Sequence, residues 1–184
     1  MLFLQDFTGS QQPYIDKARA EIRNICVSLT QQGNFAQGDL RFGVVAFRDH
    51  PPQDNSFVTK ALTPRPGSNP EQVTFVDDPG VVAHVLDTLS ASGGGDGPEA
   101  STDALQMSLT ADWRDGVSRV AILITDAPPH GLGEDGDGFP NGCPLREYPN
   151  NIFWSGLNIH CHRPGPITHC VLDGQCWNYP RTSI

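Results

Sequence analysis

A carboxylate and two hydroxyls alternate near the start of the chain, in Asp6-Phe7-Thr8-Gly9-Ser10. Their oxygens are hard ligands, suited to Mg²⁺, Mn²⁺ or Ca²⁺ and poorly suited to soft metals, and no His or Cys stands beside them. Two further carboxylates have comparable settings. Asp96 is carried by the glycine-rich turn Gly93-Gly94-Gly95-Asp96-Gly97-Pro98-Glu99-Ala100, and Asp126 ends the apolar run Val120-Ala121-Ile122-Leu123-Ile124-Thr125. Asp6, Thr8, Ser10, Asp96 and Asp126 are therefore the candidate ligands of one divalent cation. Each has an ordinary explanation when taken alone, as a turn residue or a helix cap. In combination they point to a metal. A hard cation with few protein ligands keeps an open position or water, and an acidic side chain of a partner protein can fill that position.

The flanking segments must bring these oxygens together. Leu2-Phe3-Leu4 reads as a short buried strand. Between Pro13 and Leu29, the spacing of Ile15, Ala18, Ile22, Ile25, Cys26 and Leu29 predicts an amphipathic helix. Leu40 to Phe47 is a mostly apolar run expected to lie parallel to the first strand. The polar turn Arg48 to Asp54 leads into an edge strand over Phe57 to Leu62, and Thr63 to Pro70 is a loop. Helices follow over Val81 to Leu89 and from Pro98 onward, and Val117 to Thr125 is the clearest buried strand. This order predicts an α/β fold with a mainly parallel sheet and an antiparallel edge strand. Asp6 and Asp126 each follow the carboxyl end of a strand, so both face the crevice where such sheets bind ligands.

The 184 residues are 38% hydrophobic, enough for one domain with a real core, and 21 acidic against 12 basic residues give a net charge of −9. That balance argues against nucleic acid, whose phosphates need clustered Lys and Arg. No apolar run approaches a membrane span and no signal peptide is evident, so a cytoplasmic protein is expected. Five cysteines, an odd number, suggest reduced thiols.

Asp6-Phe7-Thr8-Gly9-Ser10 resembles the DxTxS form of the first motif of von Willebrand factor A (vWA) domains. Gly94-Gly95-Asp96 resembles the second motif and Leu123-Ile124-Thr125-Asp126 the third. The pattern is most similar to intracellular fungal and amoebal members associated with alpha-type kinases, through Phe47 to Asp54, Gly93 to Ala100 and Ile124 to Gly131. The resemblance covers roughly Leu2 to Gly142. It implies a Rossmann-like three-layer domain with a metal-ion-dependent adhesion site, with Asp6, Thr8 and Ser10 from the first loop and Asp126 acting directly or through water. Asp96 stands where the family usually has Thr. A protein ligand is implied, not a chemical substrate, and no kinase sequence is present.

Residues 143–184 lack clear periodicity and are expected to be an irregular tail, leaving the vWA-like domain of residues 1–142 incomplete at its C-terminus, as in a truncated or mis-spliced product. His160, Cys161, His162, His169, Cys170 and Cys176 offer zinc ligands without zinc spacing. The acidic loop Glu134 to Gly138 lacks the glutamate of a calcium loop and reads as solvated. His130 reads as a loop histidine held by its backbone. An alternative function is a Mg²⁺-dependent phosphatase with Asp6 as nucleophile, against which stands Thr8 where such enzymes carry a second Asp. A degenerate domain that binds no metal is the remaining reading.

Overall fold

The computed structural model describes residues 1–36, 38–62, 69 and 71–144, and the backbone of 158–162 and 168–173. Six strands form one mixed sheet: β1 (Leu2–Asp6), β2 (Gly43–Phe47), β3 (Thr59–Ala61), β4 (Ala121–Thr125), β5 (Asn158–His162) and β6 (Thr168–Asp173), in the order β3-β2-β1-β4-β6-β5. Strand β1 lies parallel to β2 on one side, with Leu2 opposite Gly43, and parallel to β4 on the other, with Leu2 opposite Ala121. The remaining pairings are antiparallel. The fold is α/β and Rossmann-like, as expected.

Alternation along β1 divides the core. Leu2 and Leu4 point to one face, with Val45, Phe47 and Leu123, beneath α3 (Ser101–Leu109), which contributes Ala104, Leu105 and Met107. Phe3 points to the other face, with Val44, Ala46 and Ile124, against α1 (Ile15–Gln31) and α2 (Pro79–Leu86). Every residue of β1 and β2 is buried. Covering both faces is what turns these strands into continuous apolar runs in the sequence.

The helices follow from their sequences. Ile15, Ala18, Ile22 and Cys26 form the buried stripe of α1. In α2, Asp78 Oδ1 accepts from Gly80 N at 2.7 Å and Pro79 occupies the first turn, where its missing N–H costs nothing. Arg23 on α1 pairs with Asp87 at the end of α2, and Arg19 donates to Leu89 O.

The irregular tail expected from Cys143 onward is interrupted by two strands. Strand β6 lies antiparallel to β4, with Ile122 opposite Val171, and β5 covers β6. The signal lies in short alternations, Ile159 and Cys161 in one strand and Thr168, Cys170 and Leu172 in the other. Pairing gives the open edge of β4 partners for its backbone groups. The zinc reading of this segment concerns side chains outside the described residues. Among the described residues Cys26 and Cys143 are free and buried, and no helix is long and apolar enough to cross a membrane.

Candidate metal centre

Because β1, β2 and β4 are parallel, their carboxyl ends deliver three loops to one edge of the sheet: Asp6 to Ser10, Arg48 to Asp54, and Asp126 to Gly131. The glycine-rich loop before α3 completes the group. Backbone bonds fix the loops to one another. Gly9 N donates to Gly93 O at 2.8 Å, Ser92 N to Phe7 O at 3.0 Å, Glu99 N to Pro128 O at 2.9 Å and Ala100 N to Arg48 O at 3.0 Å.

Four of the five expected ligands meet. Asp6 is fully buried, and its Oδ1 accepts from Thr8 N (2.8 Å) and Thr8 Oγ1 (2.7 Å). Its Oδ2 accepts from Thr125 Oγ1 at 2.7 Å. Thr8 Oγ1 lies 3.2 Å from Ser10 Oγ, which donates to Asp126 Oδ1 at 3.0 Å. Both hydroxyls can thus spend their protons on carboxylates, leaving oxygen lone pairs for a cation, which is the donor set a hard ion requires. Asp6 and Thr8 are buried while Ser10 and Asp126 are exposed, so the set has a dry floor and a wet rim. Burial pushes the Asp6 carboxyl up to about 6, against the bonds from Thr8 and Thr125.

Asp96 faces elsewhere. Its Oδ2 accepts from Gly138 N at 2.6 Å, and its ligand atom lies within 4.8 Å of those of Asp49 and His130. The acidic residue that the glycine-rich loop turns toward Thr8 is Glu99, which is only 3% exposed. A Cβ on Gly94 would stand 2.8 Å from Glu99 Oε1 and 3.2 Å from Thr8 Cβ, so the loop closes only around glycine. Burial, and then the charges of Asp6 and Asp49, push the Glu99 carboxyl up to about 9.

His130, expected to be held by its backbone, is instead clasped by two carboxylates. Its Nε2 lies 2.7 Å from Asp49 Oδ1 and its Nδ1 2.9 Å from Asp137 Oδ1. Asp137 belongs to the loop expected to be solvated, and its oxygens also accept from Gly131 N and Phe139 N. Glu134 and Asp135 do face solvent. Burial alone would lower the His130 pKa, but the paired carboxylates raise it, so the imidazolium is the form that donates at both nitrogens. The stabilisation is therefore complete below the ordinary histidine value and is lost as pH rises through the raised one. We expect His130→Gln to lower the urea midpoint most at pH 6, with a smaller gap at pH 9; an equal gap at both would contradict the ion pairing. Nearby, His50 Nε2 lies 3.0 Å from Asp103 Oδ2, and Thr102 Oγ1 lies 2.8 Å from Cys143 Sγ.

The chain is 31% identical over 166 residues to the alpha-protein kinase vwkA of Dictyostelium discoideum. The match takes in 87% of this chain but only 24% of the relative, so the chain spans about a quarter of that protein. No family model matches the chain.

Asp49 and Glu99 escaped the sequence reading, although a signal for each was present. Asp49 follows a parallel strand just as Asp6 and Asp126 do, and Glu99 lies three residues beyond Asp96 at the entry to a helix.

Proposed function

We propose that this chain is a vWA-type interaction module that presents a divalent cation, Mg²⁺ or its Mn²⁺ and Ca²⁺ equivalents, to an acidic group of a partner protein. The observation that carries the reading is the 3.0 Å bond from Ser10 Oγ to Asp126 Oδ1, which joins the first and third loops across 116 residues. Asp6, Thr8, Ser10 and Asp126 would hold the ion, with Glu99 behind Thr8 in place of the expected Asp96. When bound, the ion supplies a Lewis-acidic position that a partner carboxylate can complete. The residues themselves fix the geometry. Thr125 and Thr8 lock the Asp6 carboxylate, and the exposed Ser10 and Asp126 leave the outer side approachable.

A phosphatase draws little support here, because Asp6 is fully buried and both its oxygens are engaged, unlike a free nucleophile. The likeness to part of an alpha-protein kinase suits a module carried beside a catalytic portion, and the kinase activity is not transferred to these residues.

Binding to the folded state alone stabilises it by about 2.7 kcal/mol at a hundredfold excess over Kd. For a chain of this size that is a rise of roughly 5–10 °C. Millimolar Mg²⁺ or Mn²⁺ is expected to raise the thermal midpoint by this amount, Ser10→Ala to reduce the rise and Asp6→Ala to abolish it. An unchanged midpoint would favour the metal-free domain. Turnover of an aryl phosphate that disappears in Asp6→Asn would favour the phosphatase.

A further inference from the structure

Three buried side chains of softer chemistry, none of them used by the first centre, converge beside α3. His50 follows β2, Asp103 stands in the first turn of α3, and Cys143 lies well beyond β4. All three are closed to solvent, and one ligand atom of each lies within 4.8 Å of the other two. His50 Nε2 is 3.0 Å from Asp103 Oδ2, and Cys143 Sγ is 2.8 Å from Thr102 Oγ1. Phe139 packs edge-on against the His50 ring, with centroids 5.4 Å apart, and keeps that side apolar. Hydrogen bonding within the protein does not account for the whole group, because His50 Nδ1 is buried without a partner, a costly state for a ring nitrogen away from water.

We propose that His50, Asp103 and Cys143 form a zinc site that staples the loop of residues 131–143 to α3 and to the segment after β2. The donors select the ion. Imidazole nitrogen and thiolate sulfur are the usual ligands of Zn²⁺, whereas Mg²⁺ and Ca²⁺ take oxygen, so this site and the first centre sort different metals. Charge agrees with the burial: one carboxylate and one thiolate balance Zn²⁺, and a neutral cluster is what a dry interior tolerates. As the metal–sulfur bond forms, the thiol proton passes to solvent. The ionised sulfur can then only accept from the Thr102 hydroxyl, which orients it as an outer partner orients a ligand. Three protein ligands leave the fourth tetrahedral position to a water. The stapled loop carries Asp137 and Gly138, which bond His130 and Asp96, so the metal would hold those contacts in place without entering the first centre.

The intact chain, stripped with chelator and reloaded with ZnCl₂, tests this by native mass spectrometry. Wild type and Cys26→Ser are expected to hold one Zn²⁺ per chain through these residues, and Cys143→Ser to lose it. Loading with Co²⁺ should give the near-ultraviolet thiolate-to-cobalt absorption in wild type and Cys26→Ser, and not in Cys143→Ser. A measurement on wild type alone keeps the test valid where Cys143→Ser fails to fold: mapped by peptide mass, alkylation of Cys143 should be slowed by ZnCl₂, and that of Cys26 should not. Zinc that persists in folded Cys143→Ser, Co²⁺ bound without the thiolate band, alkylation of Cys143 indifferent to zinc, or no zinc bound would each overturn the proposal.

Discussion

Replacing Glu99 by Gln is expected to raise the thermal midpoint of the metal-free protein at pH 8 by roughly 5–10 °C and to flatten its decline with pH. The ordinary glutamate value is 4.5, and in the fold burial and the neighbouring Asp6 and Asp49 push it up to about 9. The folded state therefore holds a proton that the unfolded chain gives up. Stability associated with Glu99 is fully present below about 4.5, falls as pH rises, and is lost above about 9. Each pKa unit corresponds to about 1.4 kcal/mol, so the penalty at pH 8 is on the order of several kcal/mol. A neutral, isosteric amide avoids it. Asp6, raised to about 6, adds a smaller decline between 3.8 and that value. Saturating Mg²⁺ should reverse the order, wild type melting above Glu99→Gln, because a cation compensates the carboxylate and not the amide. Melting curves at pH 5, 7 and 9, with and without metal, decide it; a wild type insensitive to pH would refute the electrostatic account.

Gly93→Ala is expected to destabilise the fold by about 3 kcal/mol or more, read as a lower urea midpoint at unchanged slope. The backbone at Gly93 has φ of 78°, where a side chain is strained, and a Cβ there would stand 1.7 Å from Asp54 Oδ2. Asp54 has little room to retreat: its Oδ1 accepts from Ser56 N and Oγ, and Arg48 lies 3.7 Å from its Oδ2. Any shift of Gly93 also disturbs its carbonyl, which receives Gly9 N. Gly97→Ala is the control, since a Cβ there meets nothing within 4 Å. Similar losses for both variants would mean that the loop is indifferent to its packing.

The legible parts of the molecule were those written in local periodicity. The stripe Ile15, Ala18, Ile22 and Cys26 marks α1, and the unbroken apolar runs of β1, β2 and β4 mark strands covered on both faces. Knowing that these strands are parallel is enough to bring Asp6 and Asp126 to one edge. The fate of Asp96 was not legible, because a glycine-rich turn leaves open which of its acidic residues points inward, and three-dimensional closure chose Glu99. His130 and Asp137 were missed for a related reason. Their pairing depends on the Gly131 to Gly138 loop folding back on itself, and no spacing rule encodes that return. The tail strands β5 and β6 are too short for alternation to stand out from chance, and β6 is held between two partners, the edge of β4, distant in sequence, and β5, local to it.

The loops around the centre are joined main chain to main chain, through Gly9 to Gly93, Phe7 to Ser92, Glu99 to Pro128 and Arg48 to Ala100. Except at the glycines, side-chain identity is irrelevant to those links. The scaffold and its chemistry are thereby separable: oxygen-bearing residues can be exchanged, added or deleted while the chassis that aims them stays put. Such a frame is a natural host for redesign, in which a new ion preference is written into a few side chains without rebuilding the edge that displays them.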